Sequence, residues 1–485
     1  MATRYERTCV QPSISDRLTS FLGLNNLLCS GKRSFMSINF FYCLLVVTIE
    51  EIFLRPINAD VTDAEDKALY FLKMSGIHRQ TFNWDKAKNG ELLVTNLENM
   101  RDALVNVRAT LQQQAADNKR RLQSYNWKQG KIQKPVEGGT PFPCNLTNVC
   151  STDPPTSVDR LRPGDIDVVA AIGDSLSSGN GALSQHILHL VTEFRGLSFS
   201  GGGAANWRKY LTLPNILKVF NPNLYGYATD SRLAIDKSAY LNIAEPIMMS
   251  RDLEYQSRVL IARMRQDPHI DMERHWKLLT IFVGNNDFCT DFCHYDNKTI
   301  FLRNHEKDLL NALRLLKENV PRLLVNLLTI PNLISSLHNH LKKVNWMCQT
   351  IQRFVCHCIF SDRYDNNYIQ MISNLMQQWQ DIDQRVANLA EFQTDNFAVI
   401  FHPFVVNASF PLLSNGALDM RYLSNDCFHF SQLGQATAAN ALWNSMLQPD
   451  GQKQVDMNEP FNRFECPSMT RPFIATLRNS AKVKS

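Results

Sequence analysis

The stretch VVAAIGDSLSSGNGA, Val168–Ala182, decides the fold class more clearly than any other part of the chain. Its apolar run ends abruptly at Gly173, and small and polar residues follow. A continuous apolar run of this length predicts a strand that is buried on both faces, as in a parallel sheet covered by helices. The ending on Gly173-Asp174-Ser175 fits an ordinary turn, and it also fits a serine that is presented for chemistry.

Three later runs share the character of the first. The four runs are Ile166–Ile172, Leu278–Val283, Leu323–Thr329 and Phe397–Phe401. Long segments with helical periodicity separate them, and this alternation predicts a three-layer α/β/α sandwich around a mainly parallel sheet. Ligand and active sites in such sheets form beyond the carboxyl ends of the strands. The polar residues that follow the first two runs, Gly173-Asp174-Ser175 and Gly284-Asn285-Asn286-Asp287, are therefore the first candidates for a site.

Changes in composition divide the 485-residue chain into four segments. We expect an N-terminal extension with a signal peptide or signal anchor at 1–59, and a helical region with a Gly/Pro-rich linker at 60–139. The main domain is predicted at 140–475 and a polar tail at 476–485. The helical region has apolar positions at helical spacing, which predicts an N-terminal helical appendage to the sandwich.

The N-terminal segment has the features of an export signal. Lys32-Arg33 precede an apolar core at 40–49, which is shorter than the roughly 20 residues that a membrane span needs. A small residue, Ala59, is available for cleavage, and Met36 is a natural start for such a signal. We expect a secreted, extracellular protein. The alternative is a membrane-anchored protein that retains the apolar segment.

Cysteine usage also favours export. Nine of the twelve cysteines lie after Ala59, and the close pairs Cys144/Cys150 and Cys289/Cys293 are candidates for local disulfides. Because nine is odd, we expect one thiol to be left over or to pair between chains. Cys356-His357-Cys358 is too tight for a zinc motif and no second paired set follows it, so we expect no metal.

Charge and surface motifs exclude one class of partner. The net charge of +5 is spread along the chain, without a basic block dense enough to indicate nucleic-acid binding. No protein partner is evident. Three N-glycosylation triplets, which begin at Asn145, Asn297 and Asn407, are consistent with a secreted glycoprotein.

The segment SNDCFHFSQLGQA, 424–436, supplies a base for the serine. Asp426 and His429 lie three residues apart before an amphipathic segment, a spacing that can place the carboxylate against the imidazole. A carboxylate in that position fixes the imidazole tautomer and stabilises its protonated form. The imidazole can then take the proton of a serine hydroxyl, which is a weak nucleophile unaided.

Together these segments resemble the GDSL, or SGNH, esterase/lipase family, and in detail its phospholipase B branch. GDSLSSGNGA, the RGLSFSGGG glycine run, IFVGNNDFC and DCFHFSQLGQA stand in the family's order, along with LRPGDIDVVAAIGDSL, TLPNILK and ALWNSMLQP. The resemblance covers about residues 140–475. It implies a flavodoxin-like sheet of the SGNH-hydrolase type.

The resemblance also implies roles for single residues. Ser175 matches the nucleophile, and Asp426 and His429 match the family's Asp-x-x-His. The oxyanion hole is expected from the Ser175 N–H, a backbone N–H at Gly202 (Gly203 is the near alternative) and the Asn286 side chain.

One departure from the family and one competing acid remain. Asn285 stands where the family more often has a second glycine. Asp287 is a competing candidate for the acidic residue, and Asp426 is preferred because the sequence tethers it near His429.

The function implied by the resemblance is hydrolysis of acyl esters in glycerophospholipids and lysophospholipids, at a membrane or micelle surface and without a cofactor. The alternatives are a triacylglycerol lipase or carbohydrate acetylesterase of the same family, or a catalytically silent lipid-binding relative.

Overall fold

The computed structural model describes Ala109 and residues 111–147, 149–186, 189–190, 192–334, 346–360, 365–406 and 411–481. These residues fall in a compact unit that runs from Val107 to Ser485. The expected boundary at residues 139 and 140 therefore lies inside this unit. The backbone explains why, since Leu433 N–H donates to the carbonyl of Lys131 (2.9 Å) and Gln133 N–H donates to the Gln432 side chain (2.8 Å).

A four-stranded parallel sheet forms the centre. Its strands are β1 (Ile166–Gly173), β2 (Trp276–Phe282), β3 (Leu323–Leu328) and β4 (Phe397–His402), in the spatial order β1-β2-β3-β4. The strands are almost entirely buried, as their continuous apolar runs predict. All four predicted runs are strands, with bounds within two residues of the expectation.

Two short, irregular segments extend the sheet beyond β1. Tyr225 and Asn242 form parallel bridges with Val168 and Ala171. The Ile243 N–H donates to the Ala171 carbonyl at 2.8 Å. This edge carries no long apolar run, which is why the sequence pattern does not reveal it.

Helices cover both faces, and this confirms the α/β/α sandwich. They are α1 (Lys119–Lys128), α2 (Ser175–Ser178), α3 (Leu213–Phe220), α4 (Leu253–Gln266), α5 (Lys298–Asn319), α6 (Trp346–Val355), α7 (His357–Phe360), α8 (Asn366–Ala387), α9 (Gln432–Leu447) and α10 (Leu477–Ala481). Helix α5 packs against α4 and α8 on one face, and α3 and α9 pack together on the other. The Thr329 hydroxyl donates to Asp383 of α8 at 2.6 Å, whereas His402 bonds Ser445 of α9 at 2.8 Å.

Four long-range disulfides close this unit. They are Cys144–Cys466, Cys289–Cys356, Cys293–Cys358 and Cys348–Cys427. Local bridges between Cys144 and Cys150, or between Cys289 and Cys293, were wrong predictions, because each of these cysteines except Cys150 pairs with a residue at least 65 positions away. Cys150 is disulfide-bonded as well.

The disulfides also bear on metal binding. The side chains of Cys293, His294, His357 and Cys358 come together, so a second Cys/His pair does exist, but it precedes Cys356-His357-Cys358 in the chain. The two sulfurs of this cluster are joined as a disulfide and are not thiolate ligands.

Of the three glycosylation triplets, two lie in the described part of the chain. Asn145 and Asn297 are exposed. Asn407, like the expected signal segment at 1–59, lies outside the described residues. Among the described helices, none combines the length and apolar character required to cross a membrane.

Candidate active site

A sharp turn at the end of β1 presents Ser175. Gly173 has φ +131°, and a Cβ there would lie 2.0 Å from the carbonyl oxygen of Phe282 on the neighbouring strand. The Asp174 side chain accepts the N–H of Leu176 at 2.9 Å and so caps α2. Ser175 is therefore the first residue of a helix, where the backbone N–H has no partner within the helix.

The loop before α9 brings in the histidine and its carboxylate. One oxygen of Asp426 accepts the backbone N–H groups of Phe428 (3.1 Å) and His429 (3.0 Å). Its other oxygen bonds Nδ1 of His429. The Cys348–Cys427 disulfide anchors the middle of this loop to α6.

Ser175, His429 and Asp426 lie in line. His429 Nε2 is 2.7 Å from Ser175 Oγ, and the opposite ring nitrogen bonds Asp426. Asp426 is fully buried and the His429 side chain is 15% exposed. This arrangement can pass a proton from the hydroxyl to the imidazole and hold the resulting charge.

The ionisation of the pair follows from burial and charge. Burial acts to lower the pKa of His429, but the charge and hydrogen bond of Asp426 outweigh it, and the pKa rises above its ordinary value. Burial acts to raise the pKa of Asp426, but His429 and two backbone N–H groups hold this pKa below its ordinary value. Both shifts thus favour a charged Asp426 carboxylate beside a protonated His429.

Asp287, the competing acid, lies elsewhere. Its carboxylate accepts the Ser250 N–H (3.1 Å) and the Ser250 hydroxyl (2.7 Å). Burial raises the pKa of Asp287 to about 6. The structure therefore places Asp426, and not Asp287, against the histidine.

The expected oxyanion donors are only partly brought together. Asn286 lies just after Gly284, beyond the end of β2, and its Nδ2 donates to the Met248 carbonyl at 2.9 Å. The second hydrogen of this Nδ2 bonds no acceptor in the part of the chain that the structure describes. Gly202 N–H already donates to the Ser198 carbonyl (3.0 Å), and Gly203 N–H donates to the Ala228 carbonyl (2.8 Å). Neither glycine N–H is an open donor.

The glycine at 202 has a packing role instead. A Cβ at Gly202 would lie 2.5 Å from Ser198 N and 2.6 Å from Arg195 O, so the loop closes on itself there. A glycine-rich motif alone does not distinguish this tight packing from an oxyanion donor.

Asn285, the departure from the family pattern, supports the serine turn. It is buried, and its Nδ2 lies 3.3 Å from Oδ2 of Asp174. Burial raises the pKa of Asp174 to about 6, while the Leu176 N–H and Asn285 act in the opposite direction. The negative charge of Asp174 also contributes to the raised pKa of His429.

Comparison with known proteins places this geometry in a family. The model described as GDSL-like Lipase/Acylhydrolase matches residues 169–442. The chain belongs to this family. It is 37% identical over 348 residues to "Phospholipase B1, membrane-associated" of Rattus norvegicus, and 37% identical over 350 residues to the Homo sapiens protein of the same name.

Each of these two alignments covers 70% of this chain and 23% of the relative, so the chain matches about a quarter of the relatives' length. An extracellular lipase from Streptomyces rimosus is 13% identical over 57% of this chain and 99% of that chain, with a TM-score of 0.30, which is too low to bear on fold or function. The family assignment therefore rests on the model that matches residues 169–442.

Proposed function

We propose that the protein hydrolyses acyl esters of glycerophospholipids and lysophospholipids through an acyl-enzyme on Ser175. The observation that carries the proposal is the aligned hydrogen bonding of Ser175, His429 and Asp426, with 2.7 Å between Oγ and Nε2. The substrate class rests on the relatives that are named phospholipase B1.

The chemistry has two halves. Ser175 Oγ attacks the ester carbonyl while His429 accepts the hydroxyl proton through Nε2. His429 then gives this proton to the departing alcohol, which leaves an acyl ester on Ser175. A water molecule, deprotonated by His429, attacks the acyl ester; as the fatty acid leaves, His429 returns this proton to Ser175 Oγ. Asp426 holds the imidazole tautomer throughout.

Charge on the substrate oxygen also needs donors. Two donors that bond no acceptor among the described residues are suited to this role. They are the Ser175 N–H at the start of α2 and the second hydrogen of Asn286 Nδ2. Preorganised donors of this kind contribute several kcal/mol, on the order of 10²–10³ in rate for each donor.

The disulfides support the proposal that the protein is exported. Four disulfides close loops of 65 to 322 residues, and disulfides persist mainly in oxidising compartments. We further propose glycans on Asn145 and Asn297, which are exposed. A gel-mobility shift of the exported protein on treatment with a peptide N-glycosidase tests them, and an unchanged mobility contradicts them.

The substrate proposal is tested by competition between esters. Fatty-acid release is measured from phosphatidylcholine, lysophosphatidylcholine, triacylglycerol and an acetylated sugar, with wild type and Ser175→Ala. We expect release from both phospholipids to exceed release from the other two and to vanish in Ser175→Ala. A preference for triacylglycerol or acetylated sugar would replace the phospholipid proposal with the corresponding alternative. Release that persists in Ser175→Ala would remove the serine from the mechanism.

A further inference from the structure

The positive charge of the chain is concentrated in one short segment. Residues 119–134 contain six Lys or Arg residues and no Asp or Glu, whereas the net charge of the whole chain is +5. The nearest acidic residues in the sequence, Asp117 and Glu137, flank the segment on its two sides. The net charge is therefore not spread along the chain, as the overall composition suggests. The segment also lies outside the residues that the family model matches.

Helix α1 carries most of this charge on one side. Four of its exposed side chains stand in two pairs that are seven residues apart, so they share one face of the helix: Arg120 with Trp127, and Arg121 with Lys128. The opposite side of α1 is buried through Leu122 and Asn126. We call the exposed side, with Arg120, Arg121, Trp127 and Lys128, the basic face.

The described part of the protein leaves the charges of the basic face without counter-charges. Lys119, at the edge of the helix, is paired with Asp230 at 3.4 Å. Among the described residues, no carboxylate forms an ion pair with Arg120, Arg121 or Lys128. An exposed group of like charges of this kind attracts an anionic partner.

Trp127 indicates which anionic partner fits. Its side chain is 50% exposed and lies among the basic side chains. A tryptophan has an apolar body and a polar N–H, and it is enriched at the boundary between lipid and water for that reason. Basic residues together with an exposed aromatic side chain are typical of a helix that lies on an anionic membrane surface.

The basic face lies beside the loop that carries Asp426 and His429. Asn126, on the buried side of α1, donates to the Ser184 carbonyl at 3.2 Å. Asn425, directly before Asp426, donates to the same carbonyl at 3.1 Å. Just after the helix, Lys131 Nζ donates to Oδ1 of Asn425 at 2.9 Å. Helix α1 is thus fixed to the start of this loop by direct hydrogen bonds.

We propose that the basic face of α1 is a docking surface for an anionic phospholipid bilayer. Arg120, Arg121 and Lys128 bind lipid phosphate groups, and Trp127 enters the headgroup layer. The choice of a lipid partner rests on the proposed phospholipid hydrolysis, and it adds the surface on which that substrate is met. Docking through α1 holds the Asp426–His429 loop next to the membrane.

The test measures binding of the full chain to vesicles by sedimentation. The vesicles contain ether-linked phosphatidylcholine, alone or mixed with ether-linked phosphatidylglycerol, so they offer no acyl ester for hydrolysis. Each binding curve is measured at low and at high salt. The docking variant is Arg120→Gln/Arg121→Gln/Lys128→Gln, and Trp127→Ala examines the aromatic side chain. The matched control, Arg265→Gln/Arg303→Gln/Lys307→Gln, removes the same charge from exposed positions on α4 and α5. The thermal midpoint is measured for every variant.

We expect wild type to bind the mixed vesicles more tightly than phosphatidylcholine alone, and to bind them less tightly at high salt. Each basic residue near an anionic surface contributes a factor of about five, so the docking variant should lose binding on the order of 10²-fold. The control variant should bind within about threefold of wild type. Trp127→Ala should bind more weakly but keep the salt dependence of wild type, because it removes no charge.

Three results would overturn the inference: equal binding by wild type and the docking variant, an equal loss in the control variant, or wild-type binding that does not fall with salt. Retention of wild type on heparin-agarose without binding to vesicles would assign the basic face to an anionic polymer, and it would overturn the inference as well. Because the ether lipids cannot be hydrolysed, none of these results depends on Ser175. If wild type docks on these vesicles but releases no fatty acid from phosphatidylcholine, the proposed function falls and the docking surface stands.

Discussion

Replacing Asp426 by asparagine removes one charge and keeps the shape of the site. The asparagine oxygen can still accept the N–H groups of Phe428 and His429, so the loop has the acceptor it needs. Its NH₂ group, however, then meets Nδ1 of His429. That contact favours the tautomer with a proton on Nε2, which cannot accept the proton of Ser175.

The expected loss follows from the charges. A carboxylate and an imidazolium with charge centres about 4 Å apart attract each other by roughly 4 kcal/mol at an effective dielectric constant of about 20. Since about 1.4 kcal/mol corresponds to a tenfold change in rate, this predicts a fall in kcat on the order of 10³-fold. KM should change little, because Asp426 is fully buried and does not reach the substrate.

The pH–rate profile gives a second, independent test of the role of Asp426. In wild type, Asp426 raises the pKa of His429 against the effect of burial. Without that charge, burial lowers this pKa, so the acid limb of kcat/KM should move to lower pH. The assay is a full pH–rate profile on a 4-nitrophenyl ester, with Asp287→Asn as the matched change at the other buried carboxylate. A loss smaller than tenfold, an acid limb that moves to higher pH, or a larger loss in Asp287→Asn would refute the assignment of Asp426.

Two other predictions concern stability. Burial raises the pKa of Asp287 to about 6, so its charged form costs free energy above that pH, and stability is regained as the pH falls through 6 towards 4. Wild type should therefore gain stability on going from pH 7.5 to pH 5, and Asp287→Asn should lack about 1–2 kcal/mol of this gain. Urea unfolding at both pH values measures the gain in the free energy of unfolding, and an equal gain in wild type and variant contradicts the prediction. The double variant Cys348→Ser/Cys427→Ser opens a loop with a sequence separation of 79 residues, so we expect the free energy of unfolding to fall by about 4 kcal/mol by the chain-entropy estimate. We also expect a lower kcat, because Cys427 lies inside the Asp426–His429 loop. Non-reducing urea unfolding and the ester assay check both effects, and a fully active variant of unchanged stability would refute the prediction.

The sequence is sufficient for the four regular strands, though not for the irregular edge beyond β1, because burial on both faces dictates the pattern of those strands. Strands buried on both faces must be continuously apolar, and the four runs from Ile166 to Phe401 therefore mark β1 to β4 closely. The pairing partners of the cysteines follow from packing between distant segments, and no local spacing encodes them. Cys293 thus bonds Cys358 and not its neighbour Cys289.

The candidate site, too, is only partly predictable from the sequence. Local sequence patterns predict Ser175, Asp426 and His429, since a turn at a strand end and an Asp-x-x-His spacing can both be recognised in the sequence. The sequence predicts Gly202 as an oxyanion donor because it cannot distinguish a glycine needed for close packing from a glycine whose N–H donates to the substrate.

The central claim is that Ser175 is the nucleophile of the proposed ester hydrolysis. The most direct measurement is peptide mapping by mass spectrometry after the purified protein reacts with a serine-directed fluorophosphonate. We predict a single covalent adduct on the peptide that contains Ser175, and none in Ser175→Ala. An unlabelled wild type, an adduct on another residue, or equal labelling of Ser175→Ala would contradict the claim.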